Sequence, residues 1–440
     1  MDNANPQPSA PAGPSHDVSQ VPIPPNGWYG QPPPPESNLP YNPAPKAPRT
    51  PMSGQARLVW ALVLVIAIAA CVWLFLVGQL FTFMQIGIVF IPLAGLAALA
   101  YVGARTPAAS IAAYILLFFV GIGVLLNSLT YILFGFVKDW SKFNALLSNP
   151  VGIDRSTIND IFSPNTGPGL LWGLLLLFLV ALLSAAMLLR PVRKVIARIM
   201  PIDPDNFVHK IALSILTLIL LTSFIPLIVL GGTPPLLTLV NGAGNSSLNS
   251  ALSVGPESLV YQFIWTIPAA FIAAGWPIAR TLKAALVRLG FVRPTPTQVI
   301  FGLVFGLALA AIAAFVIDPA INWIWQTIGW PTTDSAAFNK LLTNLVTPLG
   351  AVLIGVTAGV GEEMAVRGLL QPRIGLIASN LVFTSLHAFQ YGPDALLSVF
   401  IIGLILGIIR ARSNTTTSAI VHGVYDFALV ISSIIFVSHP

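Results

Sequence analysis

Long apolar runs separated by short polar connections occupy most of the chain after residue 57. A run of about 20 apolar residues is long enough for a helix to cross the hydrocarbon core of a bilayer. The pattern therefore predicts an all-α polytopic transmembrane helical bundle of about eleven spans. The predicted spans are 58–83, 86–104, 111–136, 168–189, 211–231, 258–279, 299–317, 347–372, 376–391, 395–409 and 414–437.

The first 55 residues follow a different pattern, since they contain no long apolar run. Proline occupies roughly a third of these positions, including the run Pro32–Pro35. Such a segment buries too little apolar surface to fold. We predict that residues 1–55 form a disordered cytoplasmic tail with polyproline stretches. A proline-recognising protein is a candidate partner of this tail, and a solvated tail without a partner is the alternative.

Composition narrows the class of protein further. Hydrophobic residues make up 55% of the 440 positions and charged residues only 8%, a balance typical of an integral membrane protein. The net charge of +6 is modest and its basic residues flank apolar runs, so nucleic acid is not an expected partner. Cys71 is the single cysteine, which excludes an intrachain disulfide and a multi-cysteine metal site. The lipid bilayer is the expected surrounding.

Basic residues alternate between connections, and this alternation predicts the topology. They precede the first predicted span and follow every even-numbered one, as expected when the N-terminus is cytoplasmic. Eleven spans would then place the C-terminus outside, in a protein of the cytoplasmic (plasma) membrane. The flanking basic residues are Lys46, Arg49, Arg57, Arg105, Arg190, Arg193, Lys194, Arg198, Arg280, Lys283, Arg288, Arg293, Arg373, Arg410 and Arg412.

Two extended polar connections, 137–167 and 232–257, interrupt the series of spans. The second of them divides the spans into two blocks. Residues 56–257 form an N-terminal transmembrane block whose role the sequence does not indicate. Residues 258–440 form a second block, which contains the ionisable residues that lie within apolar runs.

Ionisable residues in the last four predicted spans share one depth. Glu362, His387 and His422 each lie roughly 15–18 Å along their helices from the nearest cytoplasmic boundary. This distance places all three near the middle of the bilayer. Buried ionisable groups in a membrane are costly and usually mark a functional site. A glutamate with histidines is also suited to activating water for hydrolysis.

Helical spacing predicts which of these residues share a face. Glu363 and Arg367 are four residues apart and can form an ion pair, whereas Glu362 points about 100° away. His422 and Asp426 are also four apart, so the aspartate can accept a hydrogen bond from the imidazole. Small residues, including Gly355, Gly361, Gly368, Gly403 and Gly407, favour close approach of these helices.

Three motifs in chain order carry a resemblance to a known family. They are Glu362-Glu363-x-x-x-Arg367, Phe383-x-x-x-His387 and His422-x-x-x-Asp426. Together they resemble the CPBP intramembrane proteases, which include CAAX prenyl endopeptidases and bacteriocin-processing or self-immunity proteins. Two positions depart from the family pattern: Val366, where an aromatic residue is usual, and Asp426, where the prenyl proteases have asparagine. The resemblance implies that the second block, 258–440, is a CPBP-like intramembrane protease domain.

The resemblance implies a role for each candidate catalytic residue. Glu362 would act as general base on a water that His387 helps to hold, and Glu363 would orient the site and pair with Arg367. His422, with Asp426, would face the developing oxyanion. An ionised aspartate accepts hydrogen bonds and cannot donate one to an oxyanion, so Asp426 is assigned to orienting His422.

The expected activity is therefore that of an intramembrane endopeptidase acting on membrane-associated protein or peptide substrates. No cofactor is expected; the alternative is a zinc ion bound by Glu362, His387 and His422. Two other functions remain open. One is a non-catalytic membrane immunity or scaffold protein of the same fold, and the other is a proton-coupled transporter, because glutamate and histidine also relay protons.

Overall fold

The computed structural model describes residues 65, 68–148, 154–242 and 254–437. Helices dominate these residues, and no β-strand occurs among them, which confirms the all-α prediction. The predicted tail at 1–55 and the first part of the predicted span 58–83 lie outside the described residues. A helical segment at 68–76 precedes the first named helix.

The helices are numbered here in chain order. They are α1 (Leu80–Gly103), α2 (Pro107–Gly135), α3 (Trp140–Ser148), α4 (Arg155–Ile161), α5 (Thr166–Ala186), α6 (Arg190–Ile196), α7 (Phe207–Val229), α8 (Pro235–Gly242), α9 (Pro256–Ala273), α10 (Leu282–Leu289), α11 (Pro296–Ile312), α12 (Asp318–Ile328), α13 (Ser335–Leu342), α14 (Pro348–Val356), α15 (Gln371–Leu386), α16 (Pro393–Arg412) and α17 (Thr415–Val437). Three π-helical stretches, Ala313–Ile317, Thr357–Glu362 and Met364–Leu370, connect some of them.

Within the described part of the chain, 8 helical segments are long and apolar enough to cross a bilayer, fewer than the predicted count. The predicted span 58–83 accounts for one difference, since its described helical segment at 68–76 is too short to cross a bilayer and the next helix begins at Leu80. The predicted span 258–279 corresponds to α9, whose 18 residues are not among the eight. The predicted spans 347–372 and 376–391 both overlap one segment, Pro348–Leu386.

Gly375 divides that segment of 39 residues into two parts. One continuous helix of this length would extend about 58 Å, roughly twice the thickness of the hydrocarbon core. Gly375 has φ 82° and ψ 173°, a conformation that a residue with a Cβ rarely adopts. Because this residue interrupts the helix, the chain can turn where the sequence predicted a connection between two spans.

The first block has a hydrophobic core of its own. Buried residues from α1, α2, α5 and α7 pack together, with Ile132 and Ile211 among the most buried. The next helix, α9, packs against α1, where the Trp265 indole N–H donates to the Phe83 carbonyl at 2.9 Å. The division of the chain near residue 257 stays a prediction.

In the second block, glycines allow α17 to lie close to two other helices. A Cβ on Gly355 would come within 2.6 Å of the Gly423 carbonyl oxygen, and one on Gly359 within 2.7 Å of the Ala419 oxygen. On the α11 side, a Cβ on Gly306 would come within 2.8 Å of the Val421 oxygen. Backbone therefore meets backbone at these crossings, as is common between membrane helices.

Candidate active site

The two glutamates lie where one π-helical stretch ends and another begins. Glu362 is the last residue of Thr357–Glu362, and Glu363 connects it to Met364–Leu370. π-Helical turns are rare and occur most often at functional sites. The sequence predicted ordinary α-helix here. A π-helical turn contains more residues than an α-helical turn, so the angle between the side chains of Glu362 and Glu363 differs from the predicted angle of about 100°.

Glu363 is completely buried and has three polar partners. Its Oε1 lies 3.6 Å from Arg367 Nε and 3.0 Å from His422 Nδ1. Its Oε2 accepts a hydrogen bond of 2.5 Å from the Ser418 hydroxyl. The predicted pairing with Arg367 is present, and the contacts from α17 hold this carboxylate in one orientation.

Arg367 is as buried as its partner, with 1% of its side chain exposed. Its Nη2 donates to the Gly403 carbonyl of α16 at 2.8 Å, and its guanidinium lies 4.5 Å from the centre of the Phe383 ring. Among the described residues, its Nη1 has no hydrogen-bond partner. Loss of either Arg367 or Glu363 would destabilise the protein, because the remaining charge would be buried without a counter-charge.

The imidazole of His422 lies among three carboxylates. Its Nδ1 faces Glu363. Because an ionised carboxylate only accepts hydrogen bonds, His422 Nδ1 carries a proton and donates a hydrogen bond to Glu363. Its Nε2 lies 3.4 Å from Asp426 Oδ2 and 4.0 Å from Glu362 Oε2. The predicted contact between His422 and Asp426 is therefore present, but on Nε2. The second ring nitrogen is held by Glu363, a partner that the sequence did not predict.

Glu362 differs from Glu363 in both exposure and pairing. Its side chain is 36% exposed, and its nearest ion-pair partner is His422, at 4.0 Å. An accessible carboxylate that is not tied by short hydrogen bonds is available to a water or a substrate. The structure thus separates the two adjacent glutamates into one buried and fixed group and one accessible group.

His387 lies at the end of α15 and is partly exposed. Its Nδ1 is 2.9 Å from the Phe383 carbonyl oxygen. A carbonyl only accepts, so Nδ1 carries the proton and Nε2 of the neutral ring is left with a lone pair. The ring meets Phe383 edge-on at 4.8 Å and stacks on Tyr391 at 5.8 Å.

The Phe383 ring connects the three motifs. It lies beside Arg367, His387 and His422, whose ring centre is 6.1 Å away. The first, second and third motifs, far apart in the sequence, therefore contact one buried aromatic side chain. This contact brings together two of the residues that the sequence placed at one depth, His387 and His422.

Sequence reasoning missed two residues of this site, Ser418 and Tyr391. Both lie one helical turn beyond a motif: Ser418 precedes His422 by four residues, and Tyr391 follows His387 by four. Extending each i, i+4 pattern by one further step would have included them.

The arrangement of Glu362, His387 and His422 does not fit the alternative of a bound zinc ion. Within the described residues, no group of three or more His, Cys, Asp or Glu side chains is arranged to hold a metal ion. Glu362, His387 and His422 therefore do not converge as metal ligands.

A known protein family matches the part of the chain that contains the candidate active site. Residues 344–428 match the family model described as Type II CAAX prenyl endopeptidase Rce1-like. The match includes all three motifs and confirms the resemblance to the CPBP and CAAX proteases. No curated protein and no solved structure matches the chain. At the level of the family, the match supports a CAAX-type intramembrane protease in an integral membrane protein.

Proposed function

We propose that this protein is an intramembrane endopeptidase that hydrolyses peptide bonds of membrane-associated protein or peptide substrates. One observation carries the proposal: the accessible carboxylate of Glu362 lies next to an imidazole, His422, that a buried carboxylate, Glu363, holds in place. A free base beside an oriented proton donor is the arrangement that hydrolysis of an amide by water requires.

In the first step, Glu362 removes a proton from a water molecule. The lone pair on His387 Nε2 accepts a hydrogen bond from the same water and keeps it in position. The oxygen of this water attacks the carbonyl carbon of the substrate, and the carbonyl π electrons move to its oxygen. Glu362 then holds the proton, and the tetrahedral intermediate carries the negative charge.

His422 stabilises that negative charge. A proton on its Nε2 donates to the oxyanion, while Glu363 accepts from Nδ1 and fixes the ring. Before the oxyanion forms, Asp426 accepts this N–H and orients the ring; the oxyanion then takes its place as acceptor. When the intermediate collapses, the C–N bond breaks and Glu362 returns its proton to the leaving amine.

The test compares new N-termini in membranes that contain the native chain or one of three variants, Glu362→Gln, His387→Ala and His422→Ala. We expect each variant to reduce cleavage by at least about 100-fold, because each loses a group that acts in proton transfer or charge stabilisation. Labelling of N-terminal amines followed by mass spectrometry identifies the cleaved proteins and measures the products. The amount of each variant in the membrane is measured in parallel.

Glu257→Gln is the matched control, since it makes the same chemical change at an exposed glutamate in the first turn of α9. It should leave the products unchanged. If all three site variants instead yield the same products as the native chain, the protease proposal is wrong, and a non-catalytic immunity or scaffold function is favoured.

A further inference from the structure

Four arginines from different elements lie near one another at the end of the bundle that the charge pattern predicts to be cytoplasmic. We call Arg280, Arg288, Arg373 and Arg410 the arginine cluster. Arg280 follows α9, Arg288 is in the last turn of α10, Arg373 is in the first turn of α15, and Arg410 is in the last turn of α16.

The charges of this cluster repel one another. Burial lowers the pKa of Arg288 to about 10, and repulsion from Arg373, Arg280 and Arg410 adds to the effect. His209, at the start of α7, is within electrostatic range of both Arg373 and Arg288. Asp203 is a carboxylate that acts on His209 in turn. The cluster therefore has an excess of positive charge in a partly buried region.

Two members of the cluster are anchored by backbone carbonyls. Arg288 donates to the Gly368 oxygen at 3.0 Å and to the Leu369 oxygen at 3.2 Å. Arg280 donates to the Ala274 oxygen at 2.7 Å. These bonds satisfy some guanidinium N–H groups, but carbonyl dipoles do not neutralise the charge.

The other two members keep hydrogen-bonding capacity for a ligand. Arg410 Nε is buried without a hydrogen-bond partner among the described residues. Arg373 is partly exposed and forms no hydrogen bond or ion pair within that same part of the chain. A buried N–H without a partner carries a desolvation cost that a bound acceptor would remove.

A phosphate group fits these requirements. Its charge offsets the repulsion, and its oxygens accept paired hydrogen bonds from guanidinium groups. Basic pockets between membrane helices on the cytoplasmic side are where anionic lipid headgroups bind. We propose that the arginine cluster binds the phosphate of an anionic phospholipid headgroup.

Lipid binding at the arginine cluster would also stabilise the fold. Arg288 bonds the carbonyls of Gly368 and Leu369, which belong to the π-helical stretch that contains Arg367. A phosphate that neutralises the cluster keeps Arg288 in place and so stabilises the end of this stretch. Lipid binding should therefore raise the thermal stability of the protein.

Thermal unfolding of the purified, delipidated full chain in detergent tests the proposal through tryptophan fluorescence. The ligands are dihexanoyl-phosphatidylglycerol, dihexanoyl-phosphatidylcholine and inorganic phosphate. We expect a saturable rise in Tm with phosphatidylglycerol only. Arg373→Gln should raise the concentration at half-saturation about tenfold, the loss expected for one charge-assisted pair. Arg410→Gln should do the same.

Arg198→Gln is the matched control, because Arg198 is an exposed arginine outside the cluster, in the connection that follows α6. It should leave the titration unchanged. Arg373 makes no internal bond, so its substitution removes no contact needed for folding. A rise in Tm that is equal for phosphatidylcholine, or unchanged in Arg373→Gln and Arg410→Gln, would overturn the proposal. An equal rise with inorganic phosphate would overturn the assignment to a lipid.

Discussion

At the residue scale, the adjacent glutamates have opposite environments. Glu363 is fully buried among Arg367, His422 and Ser418, whereas Glu362 is 36% exposed. Helical spacing predicted that only one of them could pair with Arg367. It could not predict the contacts with α17, since those depend on which helix lies opposite.

This difference predicts separate consequences for two identical substitutions. Glu363→Gln should lower the free energy of unfolding by about 3–5 kcal/mol, because it leaves the buried Arg367 without a counter-charge. Glu362→Gln should change stability by less than about 1 kcal/mol, because this carboxylate is partly exposed and its ion-pair partner, His422, lies 4.0 Å away. The measurement is thermal and denaturant unfolding of both purified variants in the same detergent.

The amount of each variant in the membrane provides an independent check on this prediction. Glu363→Gln should accumulate poorly, whereas Glu362→Gln should accumulate like the native chain but lack proteolytic activity under the proposed function. Equal stability of the two variants would mean that the Glu363–Arg367 pair contributes little to the fold.

At the element scale, close helix approach positions the site. α17 provides both His422 and Ser418, and it contacts the π-helical stretch through Gly359 and Gly423. A backbone-to-backbone contact leaves no flexible side chain that could move aside. The distance between Glu363 and His422 is therefore set by glycine at these crossings.

Gly359→Ala should separate the two helices, because the new Cβ would lie 2.7 Å from the Ala419 carbonyl oxygen. Overpacking of this kind costs about 1–3 kcal/mol and would displace His422 from Glu363. Gly361→Ala, two residues later, is the control, because its Cβ would meet only Phe263 and Thr266, at 3.6 and 3.7 Å. Unfolding midpoints of the two variants test this difference, and similar losses in both would argue against the crossing as the cause.

At the scale of the whole molecule, topology decides which membrane face the site opens to. The charge pattern predicts residues 137–167 outside and 190–210 inside. The structure adds that α4 and α6, which lie in these two connections, expose Ser156 and Val195. Both positions lie outside the candidate membrane spans, so we expect each to react with a reagent in water on its own side of the membrane.

Single cysteines at these positions should label differently in a Cys71→Ala background. In intact cells, an impermeant maleimide should react with Ser156→Cys and not with Val195→Cys, since only the former is predicted to be outside. Both should react after the membrane is permeabilised, which shows that each cysteine is accessible. The reverse pattern in intact cells would invert the topology and place the arginine cluster on the outer face.

The sequence by itself determined the helical class, most span positions and the three motifs of the site. These features follow from local quantities: apolar run length, i, i+4 spacing and distance along a helix. Even the turn between two spans at Gly375 was predictable, because Arg373 marks the boundary there. The relation of the motifs to one family also depends only on residue identity and order.

Tertiary structure alone decided how these residues meet. The bond between Glu363 and His422 joins residues 59 apart in sequence, and the Phe383 ring contacts all three motifs. The π-helical stretches around the glutamates and the gathering of four arginines also depend on neighbouring helices. Periodicity identifies the face that a helix buries but not its partner, because close packing between glycines selects that partner in three dimensions.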